Sequence, residues 1–341
     1  MRALKTLFIN YPKDELRLLR PLISSRVVEP IMIYAPDIKL LSPQSIFDLG
    51  EFDIIYLART GPKVLDDLPF LMKYNYKIPL IYGVWEPTLI KRPYRPTNMI
   101  YDIKNLVKLA TLATKRSMAY HVQNTFEYKI YKLFSKNIYL IPPCIDEFRP
   151  RDKDEKFTVS FIYAEYRKGA DIASIVLDYF LRKFNDVKVN IIIGRGFLKS
   201  LFYALRIKHG NRVSLYNTIP RDSLYELLSR SHVLIFPSRW EVFGRVALES
   251  LACGTPVVAF DIPGAPHDIL KFSGCSYVVR PFDINEFMRG VLHYYSMWKE
   301  NSTAYENISR KCVEVAQRYN CEKVSKLVRH MFYKVLEYLR Y

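Results

Sequence analysis

The sequence predicts an α/β fold of two domains, each built on a parallel sheet, and three observations lead there. At 341 residues the chain exceeds what one hydrophobic core usually supports, so two domains of roughly 150 to 180 residues are expected. Short apolar runs of strand length alternate with helical patterns of ten or more residues, which is the signature of parallel βαβ units. The alternation occurs twice, on either side of a proline-bearing, charge-dense stretch from Pro142 to Lys156 that contains RPRDKDEK and reads as a linker.

The elements follow in order. Leu4 to Asn10, Pro30 to Tyr34, Ile54 to Leu57, Leu80 to Val84, Tyr120 to Asn124 and Ile138 to Ile141 read as buried strands of a first sheet. Val159 to Tyr163, Val189 to Gly194, Val213 to Tyr216, Val233 to Phe236, Val257 to Phe260 and Tyr277 to Val279 do the same for a second. Two helical segments, roughly Ala304 to Arg318 and Lys323 to Leu339, close the sequence. Together they predict two Rossmann-like domains with parallel sheets facing across a cleft. The predicted bounds are 1–145 for an N-terminal domain, 146–320 for a C-terminal domain, and 321–341 for a terminal helix.

Composition narrows the class. Half the residues are hydrophobic, enough for two cores. The 51 basic against 34 acidic residues give a net charge of +17, which favours an anionic partner without choosing among a nucleotide, an anionic lipid surface and nucleic acid. Five cysteines, Cys144, Cys253, Cys275, Cys312 and Cys321, are scattered and lack CxxC spacing, so the sequence signals neither a disulfide framework nor a zinc site. A reducing cytosol is the simplest setting. No uncharged apolar run approaches the roughly 18 residues that span a bilayer, and no secretory signal pattern is present.

The most chemically specific stretch is Ser238 to Thr255, SRWEVFGRVALESLACGT, in which Glu241 and Glu249 bracket a predicted strand-to-helix turn. Such a turn faces a ligand crevice at the carboxyl edge of a parallel sheet. If residues 241 to 249 run mostly helically, the two carboxylates stand roughly 12 Å apart at 1.5 Å per residue, about the length of a nucleotide-sugar. Glu249 can then accept hydrogen bonds from ribose hydroxyls and Glu241 can meet the sugar. Backbone N–H groups near Phe243, Gly244 and Arg245 can hold a diphosphate at the positive helix terminus.

This Glu-x7-Glu element, followed by CGTPVVAFDIPG, resembles the retaining glycosyltransferases of family 4, which have the GT-B fold. IPPCIDEFRP, Ile141 to Pro150, resembles that family's interdomain segment; YRKGAD, Tyr166 to Asp171, resembles its phosphate-binding lysine loop; and Gly264 falls where it keeps a glycine near the sugar. The likeness covers residues 138 to 285 and is weak before them. It implies transfer of a hexose from a nucleotide-diphosphate sugar to a hydroxyl acceptor with retention of configuration, the leaving diphosphate taking up the acceptor proton. It also implies a terminal helix that crosses back onto the first domain.

On this reading Lys168, opening a helix before Gly169, neutralises the departing diphosphate with help from Arg167 or Arg245. Those cations would replace a divalent metal, and no cofactor is expected beyond the nucleotide-sugar co-substrate. The family usually carries Gly-Arg ahead of the lysine, where this sequence has Ala164-Glu165, and His267 stands where the family commonly has a glutamate. His267 reads equally as a sugar contact and as a solvated loop residue.

The first domain departs further. Asn10 to Arg17, NYPKDELR, has no glycine where family members often carry a Gly-rich loop. Trp85 and Glu86 stand where they often carry a histidine, so Glu86 is the candidate for contact with the sugar or acceptor, and His121 reads as structural. Lys104 to Asn137, with Lys91, Arg92 and Arg95 nearby, is basic and aromatic. It resembles the membrane-facing surface of glycosyltransferases that use lipid-linked acceptors, so basic residues of 91–136 are expected to meet anionic headgroups and the acceptor to be a glycan or a lipid-linked hydroxyl. Cytoplasmic placement, peripheral at the inner membrane face, follows. Nucleic acid is not expected as a partner, because a nucleic-acid binder explains the charge but not the paired glutamates. A degenerate GT-B fold that binds without turnover, and an epimerase or phosphorylase of the same architecture, stay open.

Overall fold

The computed structural model describes residues 3–9, 16–33, 52–59, 78–84, 107, 118–146, 148, 150–194 and 196–337. They form two compact units: 1–146 with 319–341, and 147–318.

The first unit holds a six-stranded sheet of β1 (Leu4–Ile9), β2 (Val28–Ile33), β3 (Ile54–Arg59), β4 (Leu80–Val84), β5 (Met118–Val122) and β6 (Ile138–Leu140) in the order β2-β1-β3-β4-β5-β6. Every pairing is parallel. Central strands are mostly apolar because both faces are covered; β4 is buried along its whole length. Pro30 fits within β2 because that strand lies at the sheet edge, where a missing N–H costs no central ladder bond.

One face is covered by α1 (Leu16–Ser24) and by α10 (Cys321–Glu337). Leu18, Leu19 and Leu22 of α1 join Val324, Val328, Met331, Phe332 and Val335 of α10 over Phe8 and Tyr56. The α10 positions recur at helical spacing, so one stripe faces the core, and each such side chain contributes about 1.5–3 kcal/mol on burial. On the other face, Tyr120 and Tyr131 pack with rings 4.9 Å apart, Tyr131 coming from α2 (Thr125–Tyr131). That helix starts where the Asn124 side chain accepts from the Glu127 N–H.

One expectation is overturned here. Cys144 and Cys321 form a disulfide across 177 residues of sequence, although their spacing gave no sign of it. The pairing is tertiary in origin: α10 returns to the first sheet, where Ile145 forms a parallel bridge with Asn320 and its N–H donates to Tyr319 O at 3.0 Å. The three remaining cysteines are free and buried.

The second unit is also a six-stranded parallel sheet. Its strands are β7 (Phe157–Ile162), β8 (Val187–Ile192), β9 (Val213–Tyr216), β10 (Val233–Phe236), β11 (Val257–Phe260) and β12 (Tyr277–Val279), in the order β12-β11-β10-β7-β8-β9. The helices are α3 (Ala170–Lys183), α4 (Lys199–His209), α5 (Arg221–Arg230), α6 (Arg245–Ala252), α7 (Ala265–Asp268), α8 (Ile284–Glu300) and α9 (Ser302–Ala316). Asp283 and Asn301 cap α8 and α9 through side-chain oxygens that accept from Glu286 N–H and Ala304 N–H. The strand order reverses between β7 and β10, which places a topological switch point, and hence a ligand crevice, outside the carboxyl ends of those two strands.

No helix among the described residues is long and apolar enough to cross a membrane.

Candidate functional site

The loops leaving β7 and β10 meet at the switch point of the second unit. Gly169 makes this approach possible. It sits at φ 73°, and a Cβ there would lie 2.1 Å from Pro237 O, so no larger residue fits. Arg239 then fastens the loops: its guanidinium forks onto both carboxylate oxygens of Asp171 at 2.8 and 2.7 Å, lies 3.8 Å from the Tyr166 ring centre, and its N–H donates to Arg167 O. Burial alone would raise the Asp171 carboxyl, but Arg239 holds it below the usual carboxylate range.

This clamp brings Lys168 and Glu241 together. Lys168 Nζ donates to Glu241 Oε1 at 2.6 Å, Arg167 donates to Oε2 at 3.0 Å, and Ser238 Oγ donates to Oε1 at 2.9 Å. Glu241 is 5% exposed and Lys168 9%, so the pair is largely desolvated. Burial pushes the Lys168 ammonium below its ordinary value, with Glu241 opposing. Burial acts on Glu241 in the opposite sense, yet Lys168 and Arg167 hold its carboxyl below the usual range, so it is ionised at neutral pH. Arg167 also lies over the Trp240 ring at 4.9 Å.

Glu249 anchors the other end. It is 1% exposed on α6; its Oε1 accepts from Arg221 Nη2 at 2.9 Å and is ion-paired with Arg245 Nε at 3.2 Å. Arg221 opens α5, straight after the Asn217 to Pro220 loop. Between the glutamates the backbone departs from the expected helix. It is helical only from Arg245, and Gly244 before it is left-handed at φ 85° with no side-chain cap, so the straight-helix spacing of the carboxylates does not apply. A left-handed residue ends the approach from Glu241 and redirects the chain into α6. The N–H groups of Phe243 and Gly244 donate to no protein acceptor among the described residues.

Gly264, at φ 102°, packs on Phe243, whose carbonyl a Cβ would approach to 2.5 Å. His267 lies in the short helix α7 and not in a loop; its Nδ1 is 2.7 Å from Asp261 Oδ1, and its side chain is 44% exposed. Thus Arg167, Lys168 and Glu241 form one cluster, Arg245 and Glu249 a second on the same α6 turn, and Phe243 links that turn to Gly264. Glu86, Trp85 and most of the basic stretch 91–136 lie outside the described residues. His121 is fully enclosed in the first unit, between Tyr56 Oη and Ile141 O.

Sequence reading missed Arg221 and Ser238. Ser238 lay inside the quoted motif, three residues before Glu241. Arg221 gave no local signal, since it reaches Glu249 across 28 residues.

A larger cleft of about 630 Å³ lies elsewhere in the second unit, lined by Pro150 to Lys156, Lys188 and Arg230. It sits by the amino ends of β7 and β8, the edge opposite the switch point, and its walls are tied by the Arg230–Asp154 ion pair. Geometry and chemistry both favour the carboxyl edge.

Fold and site define a doubly wound α/β protein with a charged carboxyl-edge crevice, and comparison with known proteins identifies the class. Residues 145–311 match the family described as glycosyl transferases group 1, and over those residues the chain is similar to that family. An uncharacterized glycosyltransferase of Methanocaldococcus jannaschii is 28% identical over 175 residues, 51% of this chain and 43% of that protein. A glycosyltransferase from Rickettsia africae superposes with a TM-score of 0.72 at 12% identity, covering 99% of this chain and 100% of that one. Anabaena HepE, solved in complex with UDP-glucose, gives 0.69 at 16% identity, with the same coverage. The fold is therefore that of GT-B glycosyltransferase structures. The aligned stretches span less than half the length of the curated relatives the chain matches.

Proposed function

We propose that the protein is a retaining glycosyltransferase that moves a hexose from a nucleotide-diphosphate sugar to a hydroxyl acceptor without a divalent metal. The observation that carries this reading is the paired arrangement at the carboxyl edge of the second sheet, Lys168 and Arg167 on Glu241 at one place, Arg221 and Arg245 on Glu249 at the other.

In this mechanism the nucleoside ribose lies against Glu249, whose carboxylate accepts from ribose hydroxyls while Arg221 and Arg245 hold it in position. The diphosphate sits by the uncapped turn at Phe243 and Gly244, and Lys168 and Arg167 take up the charge that develops as the sugar–phosphate bond breaks. Both cations are in place before reaction, so little reorganisation is needed. Glu241, fixed by three donors, positions the sugar and stabilises positive charge at its ring. The leaving diphosphate accepts the acceptor's proton. A UDP-sugar is the favoured donor, given the likeness to HepE, and the acceptor is a glycan or a lipid-linked hydroxyl.

The test is calorimetric titration of UDP, GDP and ADP and their sugars into wild type and Glu249→Ala, with and without EDTA. Binding of one diphosphate that survives EDTA and weakens in the variant supports the reading. Absence of binding across the panel overturns it. Anomeric proton couplings of the product would then report retention directly.

A further inference from the structure

α4 is apolar on both sides. Its inner face is ordinary, with Phe202 and Leu205 buried against the sheet core. Its outer face should be polar, yet Phe197 is fully exposed ahead of the helix, Ile207 is 85% exposed and Tyr203 47%. Tyr203 and Ile207, with exposed Ser200 and Ala204 beside them, follow the three- and four-residue spacing of one helical stripe, and Phe197 stands in the turn just ahead of it. No described residue of the second unit covers Phe197 or Ile207.

The charge around this stripe is one-sided. Residues 195–212 contain five basic residues, Arg195, Lys199, Arg206, Lys208 and Arg212, and no acid. Lys208 pairs with Asp178 of α3 but stays 52% exposed, and Arg206 reaches its own chain at Gly210 O. An exposed aromatic and aliphatic stripe on a segment whose own charges are all basic, with Asp178 of α3 paired to Lys208 beside it, is the pattern of a helix that lies in the boundary layer of an anionic bilayer. A protein partner with an acidic rim would need charges facing both flanks, whereas a lipid surface supplies them without register.

Position relative to the donor site adds to this. Phe197 follows the carboxyl end of β8, and its loop is packed on the segment that leads to Lys168: Leu198 N–H donates to Ala164 O at 3.0 Å, and a Cβ on Gly196 would lie 2.1 Å from the same oxygen. The stripe therefore begins at the edge of the sheet that carries the candidate site.

We propose that this face of α4, with Phe197 as its leading anchor, docks the second unit onto anionic lipid. The surface is distinct from the basic stretch 91–136 of the first unit, and it does not depend on the donor assignment.

The experiment is flotation of the full chain with phosphatidylcholine vesicles, with and without about 30% phosphatidylglycerol. Wild type is expected to float with the anionic vesicles and to be released as salt rises. Phe197→Ser combined with Ile207→Ser should lower the partition coefficient at least about tenfold, and Lys199→Gln with Lys208→Gln should abolish the preference for anionic lipid. Unchanged melting temperature and nucleotide binding in both variants show that the fold is kept, and Ile207→Leu should restore binding if Ile207→Ser alone weakens it. Three results would overturn the proposal: no flotation of wild type, flotation undiminished in both variants, or self-association that the variants abolish while vesicles are ignored.

Discussion

The Lys168 ammonium and the Glu241 carboxylate lie 2.6 Å apart although 73 residues separate them in sequence. Each is the natural partner of the other in a desolvated site. Removing one strands the other, which in buried pairs costs about 3–5 kcal/mol. Lys168→Met is therefore expected to lower stability by roughly 3 kcal/mol in urea denaturation. Lys168→Met with Glu241→Gln should recover much of that loss while sugar transfer stays abolished. Recovery of transfer along with stability would show the pair to be structural only.

Glu249 is the second test of the donor site. Glu249→Ala removes a charged acceptor and should weaken nucleotide binding by about 1.5–3 kcal/mol, read by calorimetry. Arg221→Ala should weaken it less, because Arg245 still holds the carboxylate. Unchanged affinity in Glu249→Ala would remove the ribose assignment.

Gly169→Ala combines a left-handed backbone with a direct clash against Pro237 O. It is expected to separate the two loops that Arg239 joins, so thermal stability and nucleotide affinity should fall together. A variant that melts like wild type would mean that the loops have room the geometry does not show.

His121 supplies a pH dependence. Burial pushes its imidazole down to about 4, with Ile141 O opposing, so it is neutral in the fold. Nε2 donates to that carbonyl at 2.8 Å, which leaves Nδ1 to accept from Tyr56 Oη. The unfolded chain binds a proton near pH 6.5 and the folded chain does not until about pH 4, so stability rises with pH across that window and is lost as pH falls through it. By pH 5, above most carboxylate titrations, the loss from this group is about 2 kcal/mol. His121→Gln should flatten the slope between pH 6.5 and 5 in urea melts; an unchanged slope would assign it elsewhere.

The Cys144–Cys321 disulfide closes a long loop, so reduction should cost about 2–4 kcal/mol. Thermal melts of wild type with and without reductant, beside Cys144→Ser, measure it. Equal melting in all three would show that α10 is held by its apolar stripe alone.

Strand positions were legible because parallel strands buried on both faces read as short apolar runs: Val213 to Tyr216, Val233 to Phe236 and Val257 to Phe260 coincide with β9, β10 and β11. The starts of β7 and β8 were not, since Phe157-Thr158 and Val187-Lys188 mix apolar and polar residues, as strand ends do. At the site, the local signals were strong for Lys168, Gly169 and the two glutamates, whose neighbours in sequence restrict them. Long-range partners such as Arg221 for Glu249, and Cys144 for Cys321, leave no trace in spacing because the fold alone brings them together.

The Ile145–Asn320 bridge means that the chain leaves the first unit and re-enters it side by side, through a single doorway. The second unit is thus an insertion, and its host is interrupted. During synthesis residues 147–318 can acquire their complete sheet and helices while the first sheet still lacks α10, one of the two helices that cover one of its faces. That face of Phe8 and Tyr56 waits, covered in part by α1 alone, until α10 has been made. Of the two units, the one that begins first is then finished last, and the apolar surface it exposes meanwhile is where a folding helper, or a mistaken partner, would first take hold.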